Sequence, residues 1–167
     1  VLYSYNYTGV TPAMAIEMVG IGSQYVMATT DSAGKPLEGA KTYKIQLPPN
    51  IPAKDFWSFV AYDNQSRSEL QTDQQFPSIG SKNKDIATND DGSVDVWFGP
   101  KAPKGHESNW VQTVPGRGWS VLLRLYGPEK SWFDKSWKPG EFELVSKPIG
   151  EGGLIEEIEE KVEKIIK

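Results

Sequence analysis

The sequence predicts a mainly β fold: an antiparallel, jelly-roll-like β-sandwich with short helices and a C-terminal amphipathic α-helix. Three observations carry this. Short apolar or alternating runs recur between turns rich in Gly, Pro, Asn and Asp, the pattern of an all-β sandwich or barrel. Six Trp, seven Tyr and six Phe lie mostly in or beside those runs, where flat side chains fill a space between sheets. From Glu151 onward the composition changes to Gly, Leu, Ile, Val, Glu and Lys with a helical period.

At the N-terminus, Tyr3, Tyr5 and Tyr7 share one side of an extended stretch. Thr11 before Pro12 is an N-cap followed by proline at the first helical position, so a short helix is expected over 12–19, ending at Gly20. A strand over 25–30 precedes the turn Asp31-Ser32-Ala33-Gly34, and a strand over 42–47 precedes Pro48-Pro49. Residues 56–62 are apolar and aromatic, a central strand, and 64–84 form a long polar loop.

Asn89-Asp90-Asp91-Gly92 is a hairpin signal, because Asp-Gly tolerates the positive φ of a tight turn. It is expected to join strands over 85–88 and 93–98. Pro100 and Pro103 mark a loop over 99–105, and Pro115-Gly116-Arg117-Gly118 is a turn between strands over 110–114 and 120–126. A short helix is expected over 128–134, and a last strand over 142–146. Residues 1–24 thus form an N-terminal extension, 25–149 the sandwich, 150–153 a Gly-rich linker and 154–167 the amphipathic helix.

In the tail, Ile155, Ile158, Val162 and Ile165 fall on an a/d seam that Leu154 and Ile166 widen. Glu157–Lys161, Glu160–Lys164 and Glu163–Lys167 are i,i+4 pairs in the favourable orientation, and the glutamates crowd the start of the helix as its dipole prefers. A helix this short is marginal alone, so its apolar face must be buried. The expectation is self-association, as a trimer or tetramer because Ile occupies both seam positions, with the trimer preferred, or else packing back on the chain's own domain. The regularity reads as an engineered addition. The chain opens at Val1 with no methionine or signal peptide, so processing or design is expected to have removed what preceded it.

Composition narrows the function classes. Residues 151–167 hold six Glu and three Lys, which leaves 16 acidic and 15 basic residues in the body out of the chain's 22 and 18. A near-neutral body lacks the basic face of a nucleic-acid binder. No apolar run approaches a membrane helix, and with no cysteine there is no thiolate nucleophile or zinc–thiolate site. Asp90, Asp91 and Asp95 lack the spacing of a calcium loop, and the Gly20-Ile21-Gly22 run lacks the rest of a phosphate-binding pattern. His106, the single histidine, is read as a surface residue; a triad through Ser108 or Ser120 has no nucleophile-elbow pattern around it. No metal or cofactor is called for. Trp57 and Trp97 are expected in the core, while Trp110, Trp132 and Trp137 flank turns. Arg124 stands in the apolar strand Val121-Leu122-Leu123-Arg124-Leu125-Tyr126, so it pairs with an acid, Asp63 being the candidate, or holds an anionic ligand. Asp63, Trp110, Arg124 and Tyr126 are therefore the candidate ligand-binding residues.

From about Tyr25 to Val145 the body resembles domain of unknown function family 1214. The resemblance rests on Phe56-Trp57-Ser58 with Tyr62-Asp63, Asp91-Gly92-Ser93-Val94 with Phe98-Gly99-Pro100, Asn109-Trp110 with Pro115-Gly116, Arg124-Leu125-Tyr126-Gly127-Pro128, and Trp137-Lys138-Pro139. It implies a jelly-roll-like sandwich from a longer bacterial protein of the cell envelope or periplasm that also carries a family 1254 domain. It supplies no established activity and no catalytic residues. The readings left open are a domain without catalysis of its own, a carbohydrate- or small-ligand-binding module, and a hydrolase-like fragment.

Overall fold

The computed structural model describes residues 16–146. The linker 150–153, the tail helix 154–167 with its seam residues Leu154, Ile155, Ile158, Val162, Ile165 and Ile166, and most of the expected helix 12–19 fall outside them. The described end of that helix, 16–19, is not helical: a bend at 16 and a turn at 19 flank two residues without regular structure.

Eight strands form two four-stranded sheets packed face to face. The first sheet contains β1 (Ser23–Ala28), β7 (Trp119–Pro128), β3 (Ala53–Asp63) and β4 (Ser78–Gly80), in that order. The second contains β6 (Trp110–Gln112), β5 (Val94–Gly99), β2 (Thr42–Leu47) and β8 (Glu143–Ser146). Among the described residues, helix is limited to α1 (Lys130–Phe133) and a 3₁₀ turn at Glu107–Asn109.

Side-chain alternation places the core between the sheets. Trp119, Val121, Leu123 and Leu125 of β7 point inward beside Trp57, Phe59 and Ala61 of β3. Tyr43, Ile45 and Leu47 of β2 and Val94, Val96 and Phe98 of β5 face them from the second sheet. The centre is aromatic: Trp119 stacks on Phe98 at 5.1 Å between ring centroids and meets Tyr43 edge-on at 5.9 Å. Phe59 meets Phe98 edge-on at 5.7 Å, tying one sheet to the other.

Three expectations are corrected. The sheets are not wholly antiparallel, because β5 and β6 run parallel, a departure from an all-antiparallel jelly roll. The intervening chain loops away and returns alongside β5. There the Asn109 side chain bonds Ala87 N, Ala87 O and Asp95 O at 2.8 Å each, and the Trp110 indole donates to Gly99 O at 2.9 Å. Residues 85–88 form no strand, although the 89–92 turn is present: Gly92 has φ 84°, and its N–H donates to Asn89 O at 2.9 Å. Trp97 is not a core residue. Val94, Val96 and Phe98 take the inward positions of β5, so Trp97 falls on the outer face, where it stacks on exposed His106 at 4.6 Å. Trp57 and Trp137 are buried, as is Trp119.

Candidate functional site

The candidate residues diverge in space. Arg124 and Tyr126 share the outer face of β7, since alternate residues of a strand point the same way. Trp110 stands in β6, at the edge of the other sheet, with its indole used to hold the parallel strand. Asp63 is buried at the inward-facing end of β3.

Arg124 and Asp63 do not pair. Asp63 closes the turn that follows its own strand. Its Oδ1 accepts from Gln65 N and Ser66 N at 2.8 Å each and from Ser66 Oγ at 3.2 Å, while Oδ2 faces Arg117 Nη1 at 3.3 Å. The hydrogen bond from the Ser66 amide, chief among these contacts, holds the carboxyl below its ordinary pKa.

Arg124 instead meets Tyr62. In the register, Arg124 lies between Tyr25 of β1 and Ser58 of β3, and Tyr62 opposes Ser120. The two long side chains reach toward each other across the Val60–Leu122 pair, and Arg124 Nη2 donates to the Tyr62 hydroxyl at 2.5 Å. The guanidinium is half-buried, its Nε has no hydrogen-bond partner, and it forms no ion pair among the described residues. A groove of about 480 Å³ lies beside Tyr62, lined also by Asp63, Asn64, Arg67, Ser120 and Leu122; Arg124 is not part of its lining. Further along the same face Tyr126 stacks on Phe56 at 4.0 Å, and Lys82 Nζ sits 4.3 Å from the centre of the Phe56 ring.

A family model for "Protein of unknown function (DUF1214)" matches residues 22–130. The chain belongs to the DUF1214 family. Among solved structures, the VPA0106 protein from Vibrio parahaemolyticus matches with a TM-score of 0.64 and 24% identity, over 75% of this chain and 31% of that one. A putative uncharacterized protein from Burkholderia cenocepacia matches with a TM-score of 0.49 and 19% identity, over 78% of this chain and 34% of that one. The DUF1214 chain thus spans about a third of the length of these proteins, and the first likeness shows the fold alone. The search of curated proteins returned no match.

Other chemistry-bearing groups of this DUF1214 domain are held in local turns. Asp91 Oδ1 accepts from Ser93 Oγ at 2.6 Å and Ser93 N at 2.9 Å, which holds the 89–92 turn and lowers the Asp91 pKa. Ser108 Oγ donates to Asn109 Oδ1 at 3.2 Å, and Ser120 belongs to the sheet opposite the one His106 covers, so neither serine is set up as a nucleophile by that histidine. No group of three or more His, Cys, Asp or Glu side chains among the described residues is placed to hold a metal. No described helix is long and apolar enough to cross a membrane.

Sequence reasoning named Arg124 and Tyr126 but missed Tyr25 and Arg117. Tyr25 was legible only as a strand residue, and its place beside Arg124 depends on the β1–β7 register. Arg117 sits in a turn that gave no sign of which carboxylate it would meet.

Proposed function

We propose that this DUF1214 domain is a binding module rather than a catalyst, and that the outer face of its first sheet takes a small carboxylate-bearing ligand, with acidic sugars the best-fitting class. The supporting observation is the Arg124 guanidinium: half-buried, bonded to the Tyr62 hydroxyl, and without an ion pair among the described residues. A guanidinium without an anionic partner lacks the charge-assisted hydrogen bonds it makes best, and a carboxylate accepting from its terminal N–H groups would supply them. The neighbouring rings of Tyr25, Tyr62 and Tyr126 supply flat apolar surface with polar edges, which suits the alternating C–H and O–H faces of a sugar. The envelope setting implied by the family resemblance is one where acidic saccharides are at hand.

Calorimetric titration of the full chain with a galacturonic acid trisaccharide tests this, with a neutral galactose trisaccharide as control. The acidic sugar should bind, and Arg124→Gln should weaken it by about tenfold or more, since hydrogen bonds to charged groups contribute about 1.5–3 kcal/mol. Absence of binding, or equal binding by Arg124→Gln, would overturn the assignment.

The tail supports a second reading, on sequence alone. Its Ile-rich seam suits an added, engineered assembly element that joins copies of the chain, as a trimer, through Leu154, Ile155, Ile158, Val162, Ile165 and Ile166. Sedimentation of the chain with and without residues 154–167 decides: loss of the larger species on deletion supports it, and a monomer in both sinks it.

A further inference from the structure

The two sides of the sandwich are finished differently. On one side β6 is tied by a polar clasp to the loop that leads into β4: Gln112 N donates to Gln74 Oε1 at 2.8 Å, Gln74 Nε2 to Trp110 O at 3.2 Å, and Gln112 Nε2 to Asp73 Oδ2 at 2.9 Å. On the other side, where β1 and β8 are the edges, a cavity of about 340 Å³ opens between the sheets. It reaches Ile45, Phe59 and Leu123, core side chains at most 3% exposed. Trp132 and Trp137 line it, and Lys135, Lys138 and Glu141 are the charged residues among its lining.

The local chain explains this mouth. After α1, Lys135 takes a left-handed conformation, φ 63°, which reverses the chain as a helix C-terminus commonly does. The reversal sets Lys135 Nζ 5.1 Å from the centre of the Trp132 ring and lets Trp137 turn into the core. Neither Lys135 nor Lys138 forms an ion pair among the described residues.

Protein interiors pack to a density of about 0.75, so a cavity of this size that opens onto core side chains is not ordinary slack. Water filling it would find mostly carbon walls and few of the two to four polar partners a buried water needs. The volume lies within the roughly 300–1,000 Å³ typical of small-molecule sites, which are likewise mostly apolar with a few polar groups that set orientation. Two lysines against one glutamate leave the mouth net positive.

We propose that this cavity binds a linear carboxylic acid of medium chain length, with the alkyl chain between the sheets and the carboxylate at Lys135 and Lys138. This site is separate from the Arg124 face, and the two assignments stand or fall independently.

The test is a tryptophan-fluorescence titration of the full chain with octanoate, decanoate and dodecanoate, kept below micelle-forming concentrations, and with decanol. A saturable change is expected, with affinity rising about fourfold per added CH₂. Lys135→Ala/Lys138→Ala, which alters side chains at the mouth, should weaken decanoate by about tenfold and leave decanol unchanged. Trp132→Phe should reduce the signal, and Ala28→Phe, which fills the cavity from β1, should abolish binding while circular dichroism shows the sheets intact. If Ala28→Phe fails to fold, the chain-length series and the lysine variant still decide. No saturable change, or affinity independent of chain length, overturns the cavity assignment. Decanoate binding unaltered by the lysine variant overturns the placement of the carboxylate.

Discussion

Asp63 and Arg117 face each other at 3.3 Å, and this pairing leaves Arg124 without the Asp63 carboxylate. Tyr62 and Asp63 are adjacent in β3, so their side chains leave opposite sides of the sheet. The hydroxyl of Tyr62 goes to Arg124, and the carboxylate of Asp63 goes to the turn and to Arg117. One step in strand parity separates a structural ion pair from an arginine with no ionic partner among the described residues.

Replacing that arginine should therefore separate stability from binding. A half-buried cation without an ionic partner stabilises little, and an apolar side chain of similar length fills the same space. Arg124→Met is expected to unfold in urea at an equal or higher midpoint than the parent while losing the acidic ligand. A lower midpoint would mean that the Tyr62 contact matters more to the fold than to recognition.

The Asp63 carboxyl predicts an acid limit on stability. Its folded pKa is depressed below the ordinary value of 3.8, chiefly by the hydrogen bond from Ser66. A group with a depressed folded pKa contributes fully above its unfolded pKa and loses that contribution as pH falls toward the folded value. Melting temperature should hold above about pH 4 and drop below it. Asp63→Asn should melt lower at neutral pH and show a shallower acid decline, as thermal scans across pH 2–6 would read.

Gly92 tests the 89–92 turn. At φ 84° the backbone is in a region that a β-branched residue avoids, while the space itself is open, a Cβ there lying 3.5 Å from Pro49 Cβ. Gly92→Val should cost about 1–2 kcal/mol through backbone strain alone. Gly92→Asn, which tolerates this conformation, should recover most of it; equal melting of all three proteins would show that the turn relaxes.

Trp119 tests the core. It is fully buried between Phe98 and Tyr43, so Trp119→Ala leaves a cavity at the junction of the two sheets. The loss should be about 3–5 kcal/mol by chemical denaturation. Trp97→Ala, on the outer face against His106, should cost much less.

Much of the β framework was legible because its signals are local. The alternation of Tyr43, Ile45 and Leu47 against Lys44 and Gln46 sets both the extent of β2 and its inward face. The apolar run around Trp57 and Phe59 marked β3 as central, and Asp91-Gly92 marked a turn whose geometry depends on two residues. The parallel pairing of β5 with β6 was not legible. It depends on where Asn109 anchors after a ten-residue excursion, and its partners Ala87 and Asp95 lie 22 and 14 positions away. Trp97 was misplaced because an aromatic residue in a strand suits either face; the neighbouring valines, which fill the inner side, decide.

The sequence by itself determined the class of fold, the strands with clear period-two patterning, the family, and the presence of one arginine out of place in an apolar run. Each of these is written in residues close together along the chain. Only the tertiary structure decided that Arg124 meets Tyr62 rather than Asp63, that Trp110 belongs to the opposite sheet, and that the β1/β8 side opens into a cavity. Those outcomes depend on register and on sheet packing, where a shift of one residue exchanges one face for the other.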